Sequence, residues 1–463
     1  MSRVVLTAAL SLCGSAALPS TRVRCLESPQ LGSGPSADFV RTCSLRDAYW
    51  TRRTGFVALG ASSSVCPVRL RHATLRYDIP TVSALPAGDV GTVEAPTFVD
   101  QKYHGCFSHR FLEEYFALYW VAAERQQTWD IDARQVQVYL DGPVTKRNEA
   151  KMFKTQVNRD TGRVHVKGSP DHYFAALSAD QRVLHADVAI LQQHTVWRFT
   201  ELTLGGFTGR TPWNGMTLGY TRSEHRNEPD GVGGAQQLRT FTQEDKEYSV
   251  AEKSAAAMQY MRYLSTAFGA APLDPAAPPR TSVHIVFLNR EPAKQLKDKP
   301  RRVTNAKEII SALVAAFAGR DQVTVDPVEH LPNTSPKEII SLMHNSSIVI
   351  SPHGSQVSNV GFSRHGDAAL LELFPRCHLG RQTCYAGMAK FWNIHYDKLV
   401  SNAPVFHCDT SFAISPERVV RAVAGLIAKL KIPLGARSHT LDVARRRLDV
   451  PPRNASHWRP VTC

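Results

Sequence analysis

The chain has 463 residues, a formal net charge of +14, and 43% apolar and 21% charged residues. That length allows two or three domains with cores of their own, and the composition is that of a soluble globular protein rather than a disordered or fibrous one. The positive charge suits phosphates, polyanions or acidic surfaces without choosing among them. No zinc-finger spacing and no aromatic-interleaved basic motif is present, which argues against a nucleic-acid partner.

The first residues, MSRVVLTAALSLCGSAALPS, place Arg3 before an apolar run that ends in small residues and Pro19. This is the pattern of a signal peptide over residues 1–18. The run is shorter than the roughly 20 residues of a membrane span, so a short uncleaved anchor is the alternative. Cys13 lies inside this segment. The other cysteines are Cys25, Cys43, Cys66, Cys106, Cys377, Cys384, Cys408 and Cys463. Their even number, with sequons at Asn333, Asn345 and Asn454, fits a disulfide-bonded glycoprotein of the secretory-pathway lumen, in the Golgi or endoplasmic reticulum, or secreted.

Residues 19–95, rich in Ser, Gly, Pro and Arg, read as a loop-rich, disulfide-pinned leader with a few strands. A first domain is expected over 96–275. It opens with a helix through KYHGCFSHRFLEEYFALYWVAAERQ, where Phe111, Tyr115, Leu118 and Tyr119 recur at helical spacing. A strand follows at QVQVYLDG, a strand pair at TVWRFTELTLGGF, and a helix through EYSVAEKSAAAMQYMRYLSTAF. GAAPLDPAAPPRTS is the strongest linker signal and sets a boundary near 275.

Over 280–432 strands and helices alternate at short intervals: SVHIVFLN, NAKEIISALVAAFA, QVTVDPV, SPKEIISLMHN, SIVIS, GSQVSNVGF and AALLELF. Asn305 with Glu308, and Ser335 with Glu338, read as N-caps with their capping-box partners. The alternation predicts a parallel sheet covered on both faces, with ligands at the carboxyl ends of its strands. Residues 433–463 read as a basic tail.

Four features carry chemistry. In SPHGSQVSN, Gly354 permits close backbone approach, and the amides opening the next helix form an anion site. Ser355, Ser358 and Asn359 add hydrogen bonds to a phosphate or ribose, and His353 donates to a phosphate oxygen. A tight capped turn explains the same residues. Arg290 and the Arg301–Arg302 pair suit a diphosphate, or else a solvated basic loop. His109 and Glu113 stand four apart on a helix, as a general base and its orienting carboxylate would. A surface ion pair beside the aromatic stripe is the plainer alternative. Glu372, closing a buried strand, is placed to accept from ribose hydroxyls or to pair with an arginine.

The order and spacing of these elements over roughly residues 100–400 resembles glycosyltransferase family 61. That family's glycine-rich turn reads here as His353-Gly354-Ser355-Gln356, its following pair as Ser358-Asn359, and its later glutamate as Glu372. Its upstream arginine series reads as Arg290, Arg301-Arg302, Asn305 and Glu308. Its first-half helix reads as Cys106 to Glu113, and its element between the two sites as WRFTELTLGGF. Gln356 stands in place of a second glycine, and Cys106 in place of an asparagine. The resemblance implies a GT-B fold, two Rossmann-like α/β domains with a nucleotide sugar between them, and inverting transfer from a UDP-sugar of the N-acetylglucosamine or xylose class to a hydroxyl of a protein or glycan. It implies no cofactor and no metal, with Arg290, Arg302 and the 354–359 amides stabilising the leaving diphosphate. A non-catalytic binder of nucleotide or glycan on the same scaffold is the alternative, and a metal-dependent hydrolase a more distant one.

Overall fold

The computed structural model describes residues 18–28, 40–60, 68–69, 76–77, 79–101, 136–141, 158, 160–161, 163, 171–178, 182–184, 189–205, 250–271, 277–290, 301–320, 322–328, 334–376, 384–402 and 411–432, with seven helical positions between 111 and 123. The signal, sequon Asn454 and the basic tail lie outside them, as do Asn333, Cys13, Cys66, Cys106, Cys377, Cys408 and Cys463.

The first half is built on a nine-stranded mixed sheet. Its strands are β1 (Arg22–Ser28), β2 (Val40–Thr51), β3 (Gly55–Leu59), β6 (Thr81–Val82), β7 (Val90–Val93), β8 (Thr97–Gln101), β9 (Gln137–Asp141), β10 (Val183–Leu184) and β11 (Val196–Gly205). A separate short pair is formed by β4 (Val68–Arg69) and β5 (Arg76–Tyr77). The nine-stranded sheet runs β10-β9-β8-β11-β2-β3-β6, with β1 beside β2 and β7 beside β11.

Two expectations are corrected here. The segment read as a loop-rich leader supplies β1 to β7, and the 12-residue β2 pairs antiparallel with β11 along its length. TVWRFTELTLGGF is one strand, β11, and not a strand pair. Asp47 explains why β2 is hard to read. It sits mid-strand at φ 58°, breaks the alternation, and accepts from Arg198 Nε at 2.8 Å and Nη2 at 2.6 Å across the pair.

The second half is a five-stranded, all-parallel sheet ordered β13-β12-β14-β15-β16. Its strands are β12 (Val283–Leu288), β13 (Val323–Val328), β14 (Ile348–Pro352), β15 (Ala369–Phe374) and β16 (His395–Val400). The order reverses between β12 and β14, so a doubly wound sheet opens its ligand crevice there, at the carboxyl ends of these two strands. Six helices are described with it and before it: α1 (Asp171–Ala176), α2 (Val250–Ala267), α3 (Ala306–Ala316), α4 (Pro336–Asn345), α5 (Cys384–Phe391) and α6 (Pro416–Leu430). Two 3-10 helices sit at Ala189–Gln192 and Ser355–Phe362.

Alternation along the strands sorts this sheet's side chains onto two cores. Ile285, Phe287, Ile350 and Leu371 pack with Ile309 and Leu313 of α3 and Val419, Val423 and Leu426 of α6. Val286, Leu288, Val349 and Leu370 pack on the other face with Ile340 and Met343 of α4, Met388 of α5, and Tyr260 and Met261 of α2. Coverage on both faces is why these strands read as unbroken apolar runs. The second of these cores also takes in Phe98 of β8, Val138 of β9 and the helical residues Phe111, Tyr115 and Tyr119. The two sheets thus share one apolar interior.

Of the two expected capping boxes, one forms. Ser335 Oγ accepts from the Glu338 N–H at 3.3 Å, and the Glu338 carboxylate accepts from the Ser335 N–H at 2.7 Å. Asn305 makes no side-chain cap. Its amide instead donates to the Ile414 carbonyl at 2.8 Å and accepts from the Ile414 N–H at 3.2 Å. The chain crossing at 412–414 offers both partners at once, and outcompetes the helix's own amides.

Candidate functional site

At the carboxyl end of β12 the apolar run gives way to Asn289, which is buried. Its amide makes three hydrogen bonds. Nδ2 donates to the Val303 carbonyl at 3.0 Å, and Oδ1 accepts from Val303 N–H at 3.1 Å and from Arg290 N–H at 2.9 Å. One side chain therefore fixes Arg290 and draws the 301–303 segment against the end of β12. Phe412 N–H donates to the Arg302 carbonyl at 2.9 Å and secures that segment from its other side. Both Arg290 and Arg302 are half-buried, not extended into solvent.

At the end of β14 the chain turns through His353 and Gly354 into the 3-10 helix. The guanidinium of Arg290 lies where a side chain at 354 would be: a Cβ there would overlap a terminal nitrogen of Arg290 and come within 2.8 Å of its central carbon. Glycine is required by this approach of Arg290 to bare backbone. Val357 N–H donates to the Gly354 carbonyl at 3.0 Å and closes the first turn. Gln356, the departure from the glycine-rich pattern, turns its side chain away from the turn's mouth and donates to Ser351 Oγ at 3.0 Å. It acts as a brace between the loop and β14.

His353 and Glu372 are both buried, at 6% and 0% exposure. His353 Nδ1 is hydrogen-bonded to Glu372 Oε1, and Tyr396 on β16 donates to Glu372 Oε2 at 2.8 Å. The His353 ring stacks on Phe374, with centroids 4.9 Å apart, and tilts against Tyr385 at 5.4 Å. Both oxygens of Glu372 are thus engaged by protein. Glu372 thereby holds His353, and among the described residues no ion pair joins it to an arginine.

Ser358 and Asn359 are buried on the 3-10 helix. Asn359 Nδ2 donates to the Gln356 carbonyl at 3.1 Å. The end of this helix meets the first half directly. Phe362 packs on Phe111 at 5.6 Å and stacks on Tyr173 at 6.3 Å and 19°.

Of the residues singled out in the sequence, Arg290, Arg302, His353, Gly354, Ser355, Ser358, Asn359 and Glu372 come together at the ends of β12, β14 and β15. His109 and Glu113 lie outside the described residues, though Phe111 between them is described. Asn289 and Tyr396 escaped the sequence reading. A polar residue closing the apolar run Ile285–Leu288 was the available signal for Asn289; nothing local marked Tyr396. Among the described residues no group of three or more His, Cys, Asp or Glu is arranged to hold a metal ion.

The family model described as Glycosyltransferase 61 matches residues 222–371, which include Arg290, Arg302, the 353–359 turn and the start of β15. This match spans about a third of the chain and supports membership of glycosyltransferase family 61. It supports a glycosyltransferase, and that family implies a sugar donor and an acceptor. Among solved structures it is similar to the glycosyl transferase family 9 protein from Veillonella parvula DSM 2008, at 9% identity and a TM-score of 0.28, over 73% of this chain and 98% of that one. No curated protein matches the sequence. No helix among the described residues is long and apolar enough to cross a membrane.

Proposed function

We propose that this family 61 glycosyltransferase moves a sugar of the N-acetylglucosamine or xylose class from a UDP-sugar to a hydroxyl of a protein or glycan, with inversion at the anomeric carbon, in the lumen of the secretory pathway. A GT-B arrangement with the nucleotide sugar against the 280–432 sheet is part of this reading. The observation that carries it is the Arg290 guanidinium resting on the Gly354 backbone at the strand-order reversal. A delocalised cation beside the opening turn of a helix suits a diphosphate.

In the reaction, the acceptor oxygen attacks the anomeric carbon as its O–H proton passes to a base. The bond from that carbon to the β-phosphate oxygen breaks, and UDP leaves with the electron pair. His109 is the candidate base, with Glu113 orienting it or serving in its place. Arg290, Arg302 and the 354–359 amides stabilise the charge that develops on the leaving diphosphate, without a metal. Asn289 and the Glu372–His353 pair hold those groups in position, so little reorganisation is needed as charge moves.

The test is a purified luminal fragment given a panel of nucleotide sugars, with UDP binding measured by calorimetry and transfer or hydrolysis by product analysis. UDP binding with turnover of one UDP-sugar is the expected result. UDP binding with no turnover, unchanged by His109→Ala, would select the non-catalytic binder, and no binding of any uridine nucleotide would overturn the reading.

A further inference from the structure

Two buried polar atoms in the site are unmatched. Ser358 is 0% and Asn359 3% exposed, and neither Ser358 Oγ nor Asn359 Oδ1 has a hydrogen-bond partner among the described residues. A buried polar atom left unmatched costs about 1–3 kcal/mol, so each marks a demand that something bound there can meet.

The two demands differ in kind. Asn359 spends its donor end on the Gln356 carbonyl, and this identifies the unmatched end as the carbonyl oxygen, an acceptor. Phosphate oxygens only accept, so the diphosphate cannot satisfy it. In the proposed function Arg290 and the opening amides of the helix serve the diphosphate's oxygens. Ser358, whose hydroxyl both donates and accepts, suits either neighbour. The strand-order reversal is where a doubly wound sheet takes a mononucleotide, whose ribose and base continue from the phosphate.

We propose that Asn359 is a specificity residue for the nucleoside: its Oδ1 accepts from an O–H or N–H donor of the bound nucleotide, the ribose 2′-hydroxyl or the pyrimidine ring N–H, while Ser358 Oγ sits between that group and the phosphate. This rests on the reading of the site as a uridine-nucleotide site and names the group that Asn359 contacts.

The experiment compares UDP, 2′-deoxy-UDP and 3-methyl-UDP by calorimetry on the intact protein and on Asn359→Leu and Asn359→Asp. With the unaltered protein, one of the two analogues should bind about tenfold more weakly than UDP, the loss of one hydrogen bond to a buried acceptor. Asn359→Leu should bind that analogue and UDP alike, and Asn359→Asp, which keeps an acceptor oxygen, should still tell them apart. If both analogues bind the unaltered protein as UDP does, the assignment falls, even though UDP binding itself stands. It falls equally if Asn359→Leu keeps the full discrimination. Failure of UDP to bind at all would instead overturn the uridine-nucleotide reading beneath it.

Discussion

Arg290 lays its guanidinium on the backbone of Gly354, so that the cation at the end of β12 and the turn at the end of β14 occupy each other's space. Gly354→Ala should displace Arg290 without unfolding the sheet. UDP affinity is expected to fall at least tenfold, with the melting temperature within a few degrees of the parent. Arg290→Ala should lose a similar amount, and the double variant little more than either, because both changes remove the same arrangement. Calorimetric titration with UDP and a thermal melt check this; additive losses would show that the two residues act apart.

Glu372 accepts hydrogen bonds from two buried partners that can be removed separately. Glu372→Ala leaves both His353 Nδ1 and the Tyr396 hydroxyl unmatched, so it should cost about 2–4 kcal/mol in urea unfolding. Tyr396→Phe removes one hydrogen bond to Glu372 and leaves the pair, and should cost about 1 kcal/mol. A ranking in the opposite order would mean that Glu372 is held chiefly by Tyr396.

Asn305 and Ser335 precede helices with the same sequence pattern but do different work. Ser335→Ala loses an N-cap, about 1 kcal/mol. Asn305→Ala loses both bonds to Ile414 and should cost about 1–2 kcal/mol, with faster hydrogen exchange at the Ile414 amide. Exchange at the first turn of α3, measured by mass spectrometry, should stay as it was.

His365 gives the fold a pH dependence. Burial pushes it down to about 4 from an ordinary 6.5, against the opposing effect of its bond to the Gly361 carbonyl, and Arg262 and His344 lower it further. Its Nε2 is 2.9 Å from that carbonyl. Below pH 6.5 the unfolded chain takes up a proton that the folded chain refuses until about pH 4. Stability should therefore fall as pH drops through that window, on the order of 1–2 kcal/mol between pH 7 and pH 5. Denaturant melts of His365→Gln should flatten this slope, and an unchanged slope would assign it to other groups.

Phe362 joins the 3-10 helix of the site to Phe111, which stands between His109 and Glu113 in the sequence. Phe362→Leu should leave UDP affinity within about twofold and lower kcat by about tenfold or more, since small misplacements of reacting groups are costly. Equal losses in both would give the ring a purely structural part.

The middle of the second sheet was legible because β12, β14 and β15 are covered on both faces and read as largely apolar runs. Ser335 with Pro336 and Glu338 marked the start of α4 in the same direct way. The first sheet was not legible. β2 carries Arg41, Arg46 and Asp47 along its length, and its main partner β11 lies about 150 positions away, so pairing is decided by the folded whole rather than by local pattern. The site was legible as a set of residues but not as a set of contacts. Nothing in the sequence told Asn305 from Ser335, or showed that Glu372 would turn inward to His353.

The interior that Phe98 and Val138 share with Val286 and Leu370 bears on how this protein can be dissected. A cut in the proline-rich stretch before Arg280 would strip a greasy flank bare on each product. Neither product should stay monomeric in solution, and the intact polypeptide should melt in one step.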